Sequence, residues 1–180
     1  MSTRDRYVPR AIRGNVYGGL GVGDILDKPR ARVYRNAGLS VNSATATTIT
    51  FDAFRYDPDG MWSSTTNPSR ITCRTAGVYQ FVYNQSFVFD ANGNRGIWFN
   101  VTSGATTWIE GEVMGYPTAT SGTWYGTTTS QITLNAGDYV ECVCWQASGG
   151  AIAIVASDLP TTSPGNRTGC EVMACLISTI

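Results

Sequence analysis

The chain of 180 residues reads as one all-β domain, a jelly-roll sandwich of about ten short strands behind an extended, irregular N-terminal arm. Charged residues make up only 14 % of it, while Gly (20), Thr, Ser and Asn abound, a balance found in strand-and-turn proteins and not in helical ones. Apolar residues recur at helical spacing over no window long enough to matter. β-Branched and aromatic runs instead alternate with turn signals such as Asp59-Gly60, Asn92-Gly93, Ala136-Gly137 and Gly149-Gly150. The length suffices to bury a core without disulfides, and no internal repeat is visible.

Residues 1–30 form the expected arm, and residues 31–180 the sandwich. "RYVPRAIRGNVYGGLGVGDILDKPR" is broken by Pro9, Pro29 and repeated glycines and holds neither period. From Arg32 the strand runs begin: "RVYR", "TTITFDAF" (Thr47 to Phe54), "RITCR" (Arg70 to Arg74) and "GVYQFVYNQSFVF" (Gly77 to Phe89). "RGIWFNVT" (Arg95 to Thr102), "TTWIEGEVM" (Thr106 to Met114), "TWYGTTTSQITL" (Thr123 to Leu134) and "DYVECVCWQ" (Asp138 to Gln146) follow. "AIAIVAS" (Ala151 to Ser157) and "GCEVMACLIS" (Gly169 to Ser178) close the set.

"TAGVYQFVY" (Thr75 to Tyr83) is the most informative run. As a strand it sets Tyr79, Phe81 and Tyr83 on one face and Val78, Gln80, Val82 and Asn84 on the other. Three rings in a row are more apolar surface than a small sandwich usually covers. The row is therefore expected to pack the core and also to lie at a subunit contact, partly exposed in a monomer.

The cysteines Cys73, Cys142, Cys144, Cys170 and Cys175 are odd in number, and Cys142 and Cys144 share a strand face with Cβ atoms too far apart for an unstrained bridge. They read as small, buried, reduced thiols. With no histidine and no CxxC pair the chain offers a poor metal ligand set. "MSTRDRYVPRAIRGNVYGG" has no apolar core behind its basic start, and no later run approaches the ~20 apolar residues that span a bilayer. Cytosolic synthesis without membrane attachment is the expectation.

Catalysis is poorly supplied. The usual imidazole base is missing, and the carboxylates stand scattered in turns or singly in strands; Glu110 and Glu112 are expected to share a solvated strand face. "GGLGVG" (Gly18 to Gly23) follows no strand and opens no helix, so it is not a phosphate cradle, and no cofactor is expected. "DPDG" (Asp57 to Gly60) and "DANGN" (Asp90 to Asn94) lack the closing bidentate Glu of a calcium loop and read as plain turns. The sequons at Asn84, Asn100 and Asn166 read as chance matches.

Residues 1–35 hold eight of the thirteen Arg/Lys against three Asp, a net of +5, which leaves −5 on the rest of the chain. Gly, Pro and apolar residues space these arginines, unlike a phosphate-binding run, so nucleic acid is not the expected partner. Arg6, Tyr7, Arg10, Ile12, Arg13, Val16, Tyr17 and Leu26 are instead the expected anchors of a segment lying along another protein's acidic, grooved surface.

At Phe51 a family pattern begins. "ITFDAFRYDPDGMWSSTTNPSRITCRTAGVYQFVY" resembles the signature of the complement globular-head and tumour-necrosis-factor jelly-roll superfamily, with Phe51-Asp52, then Tyr56-Asp57 and Gly60, then Gly77, Tyr79 and Phe81 in the family's order. "LNAGDYVECVCWQ" (Leu134 to Gln146) and "TGCEVMACLIS" (Thr168 to Ser178) are similar to its later strands, so the resemblance spans about Val33 to Ser178. It implies a ten-strand jelly roll closing as a compact homotrimer. Stand-alone domains of this kind with a short arm look like those of tailed-bacteriophage virions. The expected role is thus a non-enzymatic capsid decoration or head-fibre trimer, made in the host cytoplasm and bound to the major capsid protein or another virion protein. The alternative is a receptor-binding adhesin at a tail or fibre tip.

Overall fold

A computed structural model describes residues 28–117, 124–156 and 169–180. Among these lie twelve strands: β1 (Arg30–Tyr34), β2 (Leu39–Val41), β3 (Thr47–Thr48), β4 (Ala53–Tyr56), β5 (Arg70–Thr72), β6 (Gly77–Phe87), β7 (Arg95–Ser103), β8 (Thr106–Gly115), β9 (Trp124–Leu134), β10 (Tyr139–Gln146), β11 (Ile152–Ile154) and β12 (Glu171–Thr179). They form two antiparallel sheets, as the jelly-roll reading requires. In the first, β6 is central, paired with β9 on one side and on the other with β12, which leads on to β1 and β4; β11 and β2 extend the far end of β6. The second runs β3-β10-β7-β8, with β5 also on β10.

The inner faces interdigitate because each long strand alternates. In β6 the odd positions are buried and the even ones half-buried up to Asn84. In β10, Val140, Cys142 and Cys144 point inward, opposite Val101, Phe99 and Ile97 of β7.

The run Thr47 to Phe54, expected as one strand, is split. Its start is β3, paired with Val143 and Cys144 in the second sheet; its end is β4, paired with β1 in the first. The chain crosses the sandwich edge between them, with Ile49 and Phe51 buried. The buried residues of the crossing keep their amides bonded: Ile49 N–H donates to Cys142 O at 2.9 Å and Phe51 N–H to Pro68 O at 3.0 Å. The strand-forming composition continues through the crossing, so only the distant partners mark the break.

Glu110 and Glu112 do not share a face. Opposite Trp98 of β7, β8 carries an extra residue, its register slipping between Ile97↔Val113 and Phe99↔Glu110, and Gly111 takes the positive φ of 60° that such a bulge needs. The bulge resets the alternation. Glu110 accepts hydrogen bonds from Trp108 Nε1 at 3.0 Å and Ser130 Oγ at 3.4 Å, whereas Glu112 is exposed.

Candidate functional site

Tyr79, Phe81 and Tyr83 are each 0 % exposed within a single chain. Phe81 packs on Tyr79 and Phe99 with ring centroids 6.2 and 5.9 Å apart, and Tyr83 meets Phe99 at 6.0 Å. The hydroxyls are satisfied inside as well: Tyr79 donates to Thr75 O at 2.8 Å and Tyr83 to Gln85 Oε1 at 2.9 Å. The expectation that a monomer exposes part of this row is thus overturned. Strands β7 and β10 supply a second inner face broad enough to cover all three rings, which makes them core.

The face left open is the opposite one. Val78, Gln80, Val82 and Asn84 of β6 point outward, and register sets Met173 beside Val82 and Cys175 beside Gln80 on β12. Ile177, in the β12 bulge, is 40 % exposed and extends this apolar centre. Toward β9 the face is neutral and polar, with Thr127 bonded to Asn84 at 2.8 Å and Gln131 to Gln80 at 3.1 Å. Toward β1 it is charged. The even positions of the β6 run are legible in sequence; Met173 and Ile177 are not, because "MACLI" is apolar at every position, and Cys175, expected to be buried, lies on this outward face and is only partly covered.

Glu171 is the charged focus of that face. It is 6 % exposed and receives hydrogen bonds from Arg55 Nε and Nη2, both at 3.1 Å, and from Arg32 Nε. Arg55 in turn lies over the Tyr34 ring, 4.8 Å from its centroid. Burial alone would raise the Glu171 carboxyl, but the bonds and charge of Arg55 and Arg32 outweigh it and hold the group below the usual carboxylate range. A depressed carboxylate stabilises the fold above its unfolded pKa and loses that contribution as pH falls through its folded value. Glu171→Gln should therefore cost about 1–2 kcal/mol at neutral pH, since Arg32 is partly solvated, and the deficit should close on acidification. Urea unfolding of both proteins across the acidic range measures this; a deficit that grows on acidification would contradict it.

All five cysteines are free, four of them buried and Cys175 partly exposed on the outward face. Burial pushes the Cys73 and Cys144 thiols up to about 12, and Cys142 and Cys170 well above the ordinary range. Alkylation of the native protein near pH 8 should leave Cys73, Cys142, Cys144 and Cys170 unlabelled, and denaturation should release all five, as mass spectrometry would count. Rapid native labelling at Cys142 would show that β10 does not hold its inner face.

The two acidic turns are closed by their own backbone. Asp57 accepts from the Met61 and Trp62 amides at 2.8 and 2.9 Å, and Asp90 from the Asn92 amide at 2.8 Å. No group of three or more potential ligand residues with metal-binding placement occurs among the described residues. The expected anchors Arg6, Tyr7, Arg10, Ile12, Arg13, Val16, Tyr17 and Leu26 lie outside the described residues. The chain enters beside the C-terminal end of β12, where Leu176 N–H donates to Pro29 O at 2.8 Å and Lys28 Nζ to Ile177 O.

No family model and no curated protein matches the chain. Solved structures do. The globular domain of zebrafish complement 1qA is 19 % identical with a TM-score of 0.59, over 86 % of this chain and all of that one. The Eiger TNF of S. frugiperda is 9 % identical with a TM-score of 0.58, over 85 % and 94 % of the two chains. Murine APRIL at pH 8.0 is 12 % identical with a TM-score of 0.57, over 83 % and 99 %. Identities this low carry the fold alone. With two antiparallel sheets, a central β6 and these neighbours, the chain adopts the C1q/TNF-like jelly-roll fold.

Proposed function

We propose that the protein is a non-enzymatic structural subunit of a tailed-bacteriophage virion, a homotrimer of capsid-decoration or head-fibre type attached through residues 1–30. The observation that carries self-association is the outward face of the first sheet. Its centre of Val78, Val82, Met173, Cys175 and Ile177 is apolar and incompletely covered by the chain itself, with neutral amides and hydroxyls on one flank and the Arg32–Glu171–Arg55 cluster on the other. A second copy covers such a face; three copies are what the sequence resemblance implies. The attachment role is supported by the +5 charge of residues 1–35 and by their entry at one end of the sandwich, which leaves the other end to point away from a shell.

Val82→Glu should abolish the oligomer while leaving a folded monomer, because Val82 faces outward. Light scattering reads the mass and circular dichroism the fold; a V82E protein of unchanged mass would sink this interface. Removal of residues 1–27 should release an intact oligomer from particles, and the full chain should bind them less well as salt screens its basic residues over ~8 Å at physiological ionic strength. Immunogold labelling of particles carrying either form decides between the roles. The adhesin reading is favoured by one observation: Phe89, Met114, Tyr116 and Tyr125 are each exposed near the end remote from residue 28. Under that reading Tyr116→Ala loses host-cell adsorption and keeps particle attachment.

A further inference from the structure

A cleft of about 340 Å³ opens between the outer edge of β5 and the loop that runs from Met61 to Asn67. Its volume falls within the ~300–1,000 Å³ of small-molecule sites. The loop is pinned before any ligand arrives. Asp57 holds its first two amides, Trp62 Nε1 donates to Pro68 O at 2.9 Å, Phe54 packs on Trp62 at 6.2 Å, and Ser63 Oγ accepts from the Thr66 amide at 3.1 Å.

Two guanidinium groups line the cleft. Arg70 is spread over the Tyr139 ring, 4.0 Å from its centroid, which fixes the plane of its fork. Its Nε stands 3.6 Å from Glu141 Oε1, an oxygen that also takes a 2.6 Å hydrogen bond from Ser69, and its two Nη atoms have no hydrogen-bond partner among the described residues. Arg74 commits Nε and Nη2 to Gly60 O, leaving Nη1 without one among the same residues. Glu141 is the one carboxylate paired with either guanidinium among the described residues, the Asp57 carboxylate beside the cleft being spent on the Met61 and Trp62 amides. The rest of the lining comes from Met61, Trp62, Ser63, Thr66, Asn67 and Thr72.

We infer that this cleft is a binding site for an acidic sugar of the uronic-acid class. An oriented arginine fork whose two Nη atoms carry no hydrogen bond suits a planar carboxylate, an indole wall suits the apolar face of a pyranose ring, and short hydroxyl and amide side chains suit its hydroxyls. An acidic peptide would use the arginines but not the hydroxyl-lined wall. The site is complete within one chain, so it operates whatever the subunit number.

Full-length protein titrated with D-glucuronate, D-glucose and N-acetyl-diglutamate amide, followed by ligand-observed NMR, tests the assignment. Glucuronate should bind, and glucose, which carries a hydroxymethyl group in place of the carboxylate, should bind at least about tenfold more weakly, as loss of a charge-assisted bidentate pair implies. The R70Q R74Q variant, shown to be folded by circular dichroism, should lose at least about tenfold in glucuronate affinity. R74K, at an exposed position, should show a smaller loss because the charge stays while the free Nη1 goes. Absence of glucuronate binding, equal binding of glucose, or undiminished binding by R70Q R74Q or by R74K would overturn the proposal. Tighter binding of the diglutamate would overturn the sugar assignment in favour of an acidic peptide.

Discussion

Phe81→Ala will cost about 3–5 kcal/mol, the range for deleting a large aromatic from a sealed core. The ring is 0 % exposed and sits between Tyr79 on its own strand and Phe99 on the facing sheet, so truncation leaves a void at the centre of the sandwich. Collapse into that void is opposed because Tyr79 and Tyr83 are tethered by their hydroxyls to Thr75 and Gln85. Every contact comes from the same chain, so the loss relative to wild type should be the same at each protein concentration. Urea unfolding monitored by tryptophan fluorescence at two concentrations measures both points. A loss under ~1 kcal/mol would mean that the ring is not sealed, and a loss confined to dilute protein would restore these aromatics to a subunit contact.

Period-two alternation made β6 legible, and with it the identity of the inward rings, because strand geometry is a local property. How much of the row one chain could cover was not local. That depends on β7 and β10, whose sequence separation from β6 says nothing of how closely they pack on it. The same limit hid the crossing at Ile49 to Asp52: Val143 and Val33 decide that Thr48 and Phe54 belong to different sheets, and both lie far off in sequence. The bulge in β8 did leave a signal, an isolated glycine inside a strand run. The Arg70–Arg74 cleft left almost none, since "RITCR" is an ordinary edge strand until the loop bearing Trp62 is folded back along it through Thr72 N–H to Met61 O, at 2.8 Å.

Gly93→Ala will destabilise the protein by about 2–5 kcal/mol, of which roughly 1–2 is the left-handed backbone and the rest collision. The Asn92-Gly93 turn was expected from sequence; its packing was not. Gly93 has φ 65°, and a Cβ there would stand 1.8 Å from Ala147 O and 2.3 Å from Ala147 C. Both are backbone atoms and cannot rotate away. The loops are further tied by the Ala147 amide donating to Asn94 O at 3.0 Å. Forcing them apart also endangers Arg95, which is 0 % exposed and spends its guanidinium on the carbonyls of Asn92, Asn94 and Asp90 at 2.8, 3.1 and 3.1 Å. Burial already pushes the Arg95 group below its usual range against the pull of the Asp90 charge, so a shifted loop strands a buried cation that is poorly compensated. Gly104→Ala is the matched control: its φ is 57° and a Cβ there meets nothing within 4 Å, so it should show the backbone cost alone. Equal destabilisation by the two substitutions in chemical denaturation would mean that the 90–94 and 147–150 loops do not press on each other as described. A larger loss at Gly93 assigns the difference to the Ala147 carbonyl and to Arg95 behind it.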